Sequence, residues 1–280
     1  MTSRKVPPRA VLGVDAAWTV TEPSGVALGV ETETGWRLEA VEASYDDFLA
    51  RAEGVEPGCE RPRGSKPNAA ALLAAAQKLD RARVDLVAVD MPLSRAAIER
   101  RRACDDEVSR RYGARKAAVH SPSRERPGRI SDDLRAELDQ EGYRLCVRPP
   151  ARGLIEVYPH AALIEFLNAR ERLKYKAAKV RAYWPRLSEA ERRLELRNAW
   201  AQIVAALDAR LAGVAAALPP PEGDLPAWRL KAYEDKLDAV VCAAVAIACL
   251  DGKAVAHGDE AAAIWVPSAA CPHPRPPPAS

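Results

Sequence analysis

Apolar positions along the chain come in short unbroken runs and in longer helical stretches. The run from Val11 to Val14 ends on Asp15, and the run from Val84 to Val89 ends on Asp90, just before Met91-Pro92. Runs of this length, bounded by turn formers, predict strands buried on both faces of a sheet. Pro23-Ser24-Gly25 makes a turn into a second strand, Val26 to Val30. Thr32-Glu33-Thr34-Gly35 then makes a hairpin into a third, Trp36 to Ser44, in which Trp36, Leu38 and Ala40 alternate. Gly153 to Tyr158 is a further strand stopped by Pro159, and Ile264-Trp265-Val266 a short last one.

The helical stretches carry their own punctuation. Asn68 is placed to cap a helix from Ala69 to about Arg81, after a Gly- and Pro-rich loop over 53–67. Polar helices are expected from Arg95 to Tyr112 and from Ser131 to Gln140. Ser188-Glu189-Ala190-Glu191 is a capping box opening a long helix that ends before Pro219. A final helix begins near Pro226 and stops at Leu250-Asp251-Gly252. From Asp238 to Ala246 this helix is apolar all round, which marks it as buried.

Three consecutive strands joined by tight turns form a meander, and strand, helix, strand gives a parallel crossover. Asp15 and Asp90 then reach the carboxyl edge of the sheet, where ligands of open α/β folds bind. Glu156 sits inside an apolar strand, and Asp235 and Asp238, spaced i, i+3, share a helix face at the first buried turn. Each acid has a plain structural alternative: a strand-end Asp is a common turn former, Glu156 can pair with an Arg, and Asp238 can serve as a cap. Taken jointly, isolated acids on separate buried elements, with no buried cation beside them in sequence, are expensive unless they hold something positive. Carboxylates without Cys or paired His are oxygen-ligand sets suited to Mg²⁺ or Mn²⁺.

Composition narrows the picture only slightly. The 280 residues are 48% hydrophobic and 29% charged with a net charge of +3, which suits a globular protein and argues only faintly for nucleic acid. The six Cys form no metal or disulfide spacing, and Cys242 and Cys249 fall in the apolar helix as core residues. Met1 to Ala10 has no apolar signal region, and the longest apolar run is short of a membrane span. A reduced, cytoplasmic protein without membrane contact is expected. Residues 1–10 and the Pro-rich 269–280 are expected to be disordered tails around one domain over 11–268.

The order of these features resembles the ribonuclease H-like fold, and Asp235-Lys236-Leu237-Asp238-Ala239 is similar to the late helix of RuvC-type resolvases. More closely, the chain resembles the family catalogued as domain of unknown function 429, often labelled predicted RNase H-like nucleases. The matching stretches are Gly13-Val14-Asp15, Pro23 to Ala27, Val89 to Leu93, Arg102 to Asp105, His120-Ser121-Pro122, Glu156 to His160, Lys174-Tyr175-Lys176 and Asp238 to Ala243.

The resemblance implies a mixed sheet of order 3-2-1-4-5 flanked by helices, with insertions near 95–152 and 161–221. It also implies a nuclease that hydrolyses phosphodiesters with two Mg²⁺ or Mn²⁺ ions held by Asp15, Asp90, Glu156 and Asp238, assisted by Asp235. Arg102, His120, Ser121, His160, Lys174 and Lys176 are the candidates for contacting nucleic acid, the implied partner. Two other classes fit the same topology. One is a non-catalytic module that binds nucleic acid or protein. The other is a phosphotransferase of the actin and sugar-kinase type, although the glycine-rich phosphate loops it needs are missing here. Oligomeric state is not legible.

Overall fold

The computed structural model describes residues 8–56, 58 and 60–268. Strand β1 (Arg9–Asp15) pairs antiparallel with β2 (Gly25–Thr32), and β2 pairs antiparallel with β3 (Gly35–Glu42), giving the expected meander. β1 begins at Arg9, inside the stretch expected to be tail. The other residues assigned to tails, 1–7 and 269–280, lie outside the described residues. On the other side of β1 runs β4 (Arg83–Val89) in parallel, followed by β5 (Gly153–Val157), also parallel.

The expected order 3-2-1-4-5 accounts for only part of the sheet. Beyond β5 stand β7 (Ala263–Pro267), parallel to it, and β6 (Ala254–Gly258), antiparallel at the edge, so the full order is β3-β2-β1-β4-β5-β7-β6. β6 escaped prediction because Ala254-Val255-Ala256-His257-Gly258 holds a single β-branched residue and no apolar alternation.

Helices cover both faces. α1 (Tyr45–Ala52), not foreseen, is capped by Ser44, whose hydroxyl accepts from the Asp47 amide at 3.0 Å. α2 (Ala69–Asp80) starts on Asn68 as expected, the side chain accepting from Ala71 N. α3 spans Ala103–Tyr112, shorter than the predicted 95–112, because residues 95–102 are tied elsewhere: Arg95 N donates to Ala261 O, and extended Arg102 caps the helix. α4 (Arg129–Gln140), α5 (Pro159–Phe166) and the one-turn α6 (Val180–Tyr183) follow. α7 (Glu189–Asp208) opens on the expected capping box. It stops short of Pro219 because the Asp208 carboxylate accepts from the Gly213 and Ala215 amides and turns the chain into the short α8 (Val214–Ala217). α9 (Ala227–Leu250) is the long buried helix.

Strand alternation divides the core over β1, β4 and β5 in two, and a third, smaller cluster joins α3 and α5 to β7. Val11, Leu86, Ala88, Ile155 and Val157 face α9 and α7, whereas Leu12, Val14, Val87, Val89 and Leu154 face α1, α2 and α4. Among the described residues no helix is long and apolar enough to cross a membrane.

Candidate active site

The parallel ladder sets Val14 opposite Val89, and the Asp90 amide donates to Val14 O at 2.8 Å. Asp15 and Asp90 therefore leave adjacent strand ends side by side. Both share the parity of Val11 and Ala88, so both point to the α9 face.

Glycine brings α9 down onto them. A Cβ on Gly13 would lie 2.1 Å from Ala239 O and 2.4 Å from Ala243 N, and one on Gly25 would lie 2.1 Å from Asp235 O. Backbone thus meets backbone along a seam that no larger residue allows. The seam seats the Asp235–Asp238 turn over the end of β1.

The charges here do not balance. Asp238 is fully buried; it accepts from the Tyr175 hydroxyl at 2.7 Å and pairs with Lys176. Lys176 also reaches Glu234 at 3.2 Å, and Glu234 accepts from the Ala177 amide at 2.7 Å. Asp235 pairs with Lys231 through one oxygen, while its buried Oδ2 has no partner. Among the described residues the carboxylates of Asp15 and Asp90 take no hydrogen bond or ion pair.

Five acids (Asp15, Asp90, Glu234, Asp235, Asp238) thus face two ammonium groups, Lys176 and Lys231. Burial, with Asp238 and Asp235 adding repulsion, holds the Asp15 carboxyl well above the usual range. Burial and Asp238 push Asp90 up to about 7. Burial raises Asp235 to about 6 even against the pull of Lys231. Burial also opposes the charge on Lys176, but Asp238, Glu234 and Asp15 outweigh it and hold the ammonium well above its ordinary value.

Glu156 does not join this group. It stands opposite Val89, one residue short of Asp90, and the period of two turns it to the other face of the sheet. There it is buried against Arg102, which donates Nη1 to Oε2 at 2.6 Å and Nη2 to Oε1 at 2.8 Å, and the Leu93 amide adds a bond to Oε2 at 2.7 Å. Arg102 also grips Asp105 at 2.7 Å. The paired-arginine alternative raised above is the one the geometry realises for Glu156, and Arg102 is a structural cation rather than an open contact.

The remaining candidates scatter. Ser121 accepts from Arg101 Nη1 at 2.9 Å in an exposed loop. Lys174 is exposed, its ammonium 5.9 Å from the centre of the Trp184 ring. His120 and His160 line a cavity that also borders Asp90 and Lys176. Sequence reading missed Glu234, Lys231 and Arg172. Glu234 and Lys231 sit at helical spacing from Asp238 and Asp235 and were visible by that criterion. Arg172 sits in an irregular turn and carried no signal.

Hard oxygen donors and an orphaned Asp235 oxygen suit a divalent cation, and two unpartnered carboxylates side by side are the right chemistry for one. Yet among the described residues no three His, Cys, Asp or Glu groups converge as a preformed metal cage. A cation here would be held by Asp15 and Asp90, with Asp235 nearby and Asp238 already engaged by Lys176.

Fold and site together define an α/β protein with a partly buried, undercompensated carboxylate cluster at the carboxyl edge of its sheet. The chain belongs to the family described as Protein of unknown function (DUF429), whose model matches residues 13–263. Neither a curated protein nor a solved structure matches it.

Proposed function

We propose that this is a ribonuclease H-like, metal-dependent nuclease that hydrolyses phosphodiester bonds at the Asp15–Asp90 edge. The observation that carries the reading is the pair of unpartnered carboxylates on adjacent parallel strands, with Asp235 and Asp238 laid over them by the glycine seam. Structural acids are normally satisfied, as Glu156 is, whereas this cluster keeps an excess of negative charge that a cation would relieve.

Asp15 and Asp90 would hold Mg²⁺ or Mn²⁺, with Asp235 completing the set. When bound, such ions activate water and stabilise the leaving oxygen. Tyr175 and Lys176 orient Asp238 by two charge-assisted bonds, and Lys176 keeps a positive charge at the rim where a phosphate arrives. Glu156 and Arg102 brace the far face of the same strand ends.

Mn²⁺ titration followed by electron paramagnetic resonance, with and without a single-stranded oligonucleotide, tests this reading. Saturable binding is expected in the native chain and should weaken by at least roughly tenfold in both Asp15→Asn and Asp90→Asn. No saturable binding in either condition overturns the proposal.

One observation favours a second reading, a non-catalytic binding module: Lys176 already neutralises Asp238 and Glu234 without a metal. In that case nucleic-acid binding survives Asp15→Asn, and no Mn²⁺ binds at all.

A further inference from the structure

A cavity of about 180 Å³ opens beside the acid cluster on the β5 side. Asp90 and Lys176 form the end that touches the cluster. Trp18 and Tyr158 supply aromatic walls, His120, His160 and Arg172 line it further, and Glu156, held by Arg102, also borders it.

Two polar atoms in this lining are buried without partners: His160 Nδ1 and Arg172 Nε. Native proteins rarely leave such groups unmatched, and where they do a ligand or water belongs there. His160 is only 8% exposed, in the first turn of α5, with the Tyr158 and Tyr175 rings edge-on to it at 5.4 and 5.3 Å. Arg172 is anchored through its backbone amide to Arg115 O at 2.8 Å, but its guanidinium has no carboxylate partner among the described residues. Nearby Arg102, Lys176 and Lys231 are each paired with a carboxylate. A free guanidinium presents several donors in a planar fork, the geometry that suits phosphate.

The size of the cavity limits the occupant. Pockets for drug-sized ligands run to roughly 300–1,000 Å³, so this one takes a single flat group and its anion, not a duplex. Aromatic faces are what unstacked bases use, and paired bases do not expose theirs.

We infer that this cavity holds one unpaired nucleotide of a single strand, its phosphate at Arg172 and its base against Tyr158 and Trp18. The inference rests on the hydrolytic reading of the neighbouring acids and narrows it: the substrate enters as single-stranded nucleic acid. Trp18 is partly accessible; it packs against the core and carries Arg126 at 5.6 Å from its ring centre, and the part of the indole that lines the cavity serves the base.

Calorimetric titration in EDTA isolates the cavity from any metal. A nucleoside 5′-monophosphate should bind at least roughly tenfold more tightly than inorganic phosphate or the unphosphorylated nucleoside. Arg172→Met should weaken it by roughly tenfold or more without lowering Tm, because the guanidinium has no hydrogen-bond partner among the described residues. Trp18→Ala should weaken it by roughly fivefold or more, and Asp15→Asn should leave it intact. A single-stranded oligonucleotide should displace the monophosphate, and a blunt duplex should not.

Absence of binding, equal affinity for inorganic phosphate, or indifference to Arg172→Met each overturns the pocket. Displacement by duplex as readily as by single strand overturns the unpaired assignment. Failure of the oligonucleotide to compete reduces the pocket to a site for free mononucleotide and overturns the link to strand cleavage. Mn²⁺ binding is read separately, so loss of the hydrolytic reading and loss of the pocket are told apart.

Discussion

Two acid clusters lie at the same edge of the sheet, on opposite faces, and they are built differently. On one face Glu156 and Asp105 share Arg102, and every oxygen of Glu156 is filled by guanidinium or amide donors. On the other face, among the described residues, Asp15 and Asp90 have no donor, and Asp235 keeps an orphaned oxygen. Both clusters place acids at a strand end, but Asp105 and Glu156 are buried, whereas Asp15 and Asp90 stay partly accessible beside the buried Asp235 and Asp238. The balance of partners separates them further: the satisfied cluster holds β5 to the chain after β4, and the unsatisfied one carries repulsion that a proton or an added cation would relieve.

Breaking the satisfied side should have the largest effect. Arg102→Ala strands Glu156 and Asp105 without a counter-charge, and loss of one member of such a buried pair costs about 3–5 kcal/mol. Urea unfolding of Arg102→Ala should show that loss, whereas Glu156→Gln, measured by the same Mn²⁺ titration, should leave metal affinity unchanged. Loss of Mn²⁺ binding in Glu156→Gln would return Glu156 to the ligand set and erase the distinction between the faces.

The seam comes next. Gly13→Ala forces a methyl into the Ala239 carbonyl, so α9 must shift away from β1. Overpacking of this kind costs about 1–3 kcal/mol, and the displacement should also separate Asp238 from Asp15. A variant that loses stability but keeps full Mn²⁺ affinity would show that the Asp235–Asp238 turn does not contribute to the cluster.

Much of this arrangement was legible in the sequence, for reasons that also mark where legibility stopped. The β1 and β4 runs each ended on one carboxylate, and the parallel crossover put those ends together. The all-apolar stretch of α9 required burial, which brought Asp235 and Asp238 along. The facing of Glu156 was not legible because it depends on register, and one residue of offset against Asp90 moves a side chain through the sheet. Its partner Arg102 lies 54 residues away, and Lys176 lies 62 residues from Asp238, so no local pattern announced either cation. The β6–β7 extension was hidden for the opposite reason, a strand too poor in β-branched residues to register.

The smallest expected effect is the one that reads the repulsion directly. Asp90 titrates near 7 in the folded chain against roughly 3.9 when unfolded. Between those values the folded state binds more protons than the unfolded state, so the contribution of Asp90 to stability falls as pH rises through that window. Asp90→Asn removes this dependence. Its stability should match that of the native chain near pH 4 and exceed it by about 2 kcal/mol at pH 8, less than the full shift implies because Asp15 and Asp235 share the titration. His160 works in the opposite sense, since burial holds it neutral and its contribution is lost as pH falls below roughly 6.5, but it is present in both chains and cancels in the difference. Thermal unfolding across pH 4–8 checks the sign, and saturating Mn²⁺ sharpens it: a bound cation should stabilise the native chain at pH 8 and close the gap to Asp90→Asn. A gap that is already present at pH 4 would mean that the side chain acts through packing, and the two faces of the edge would then differ in shape rather than in charge.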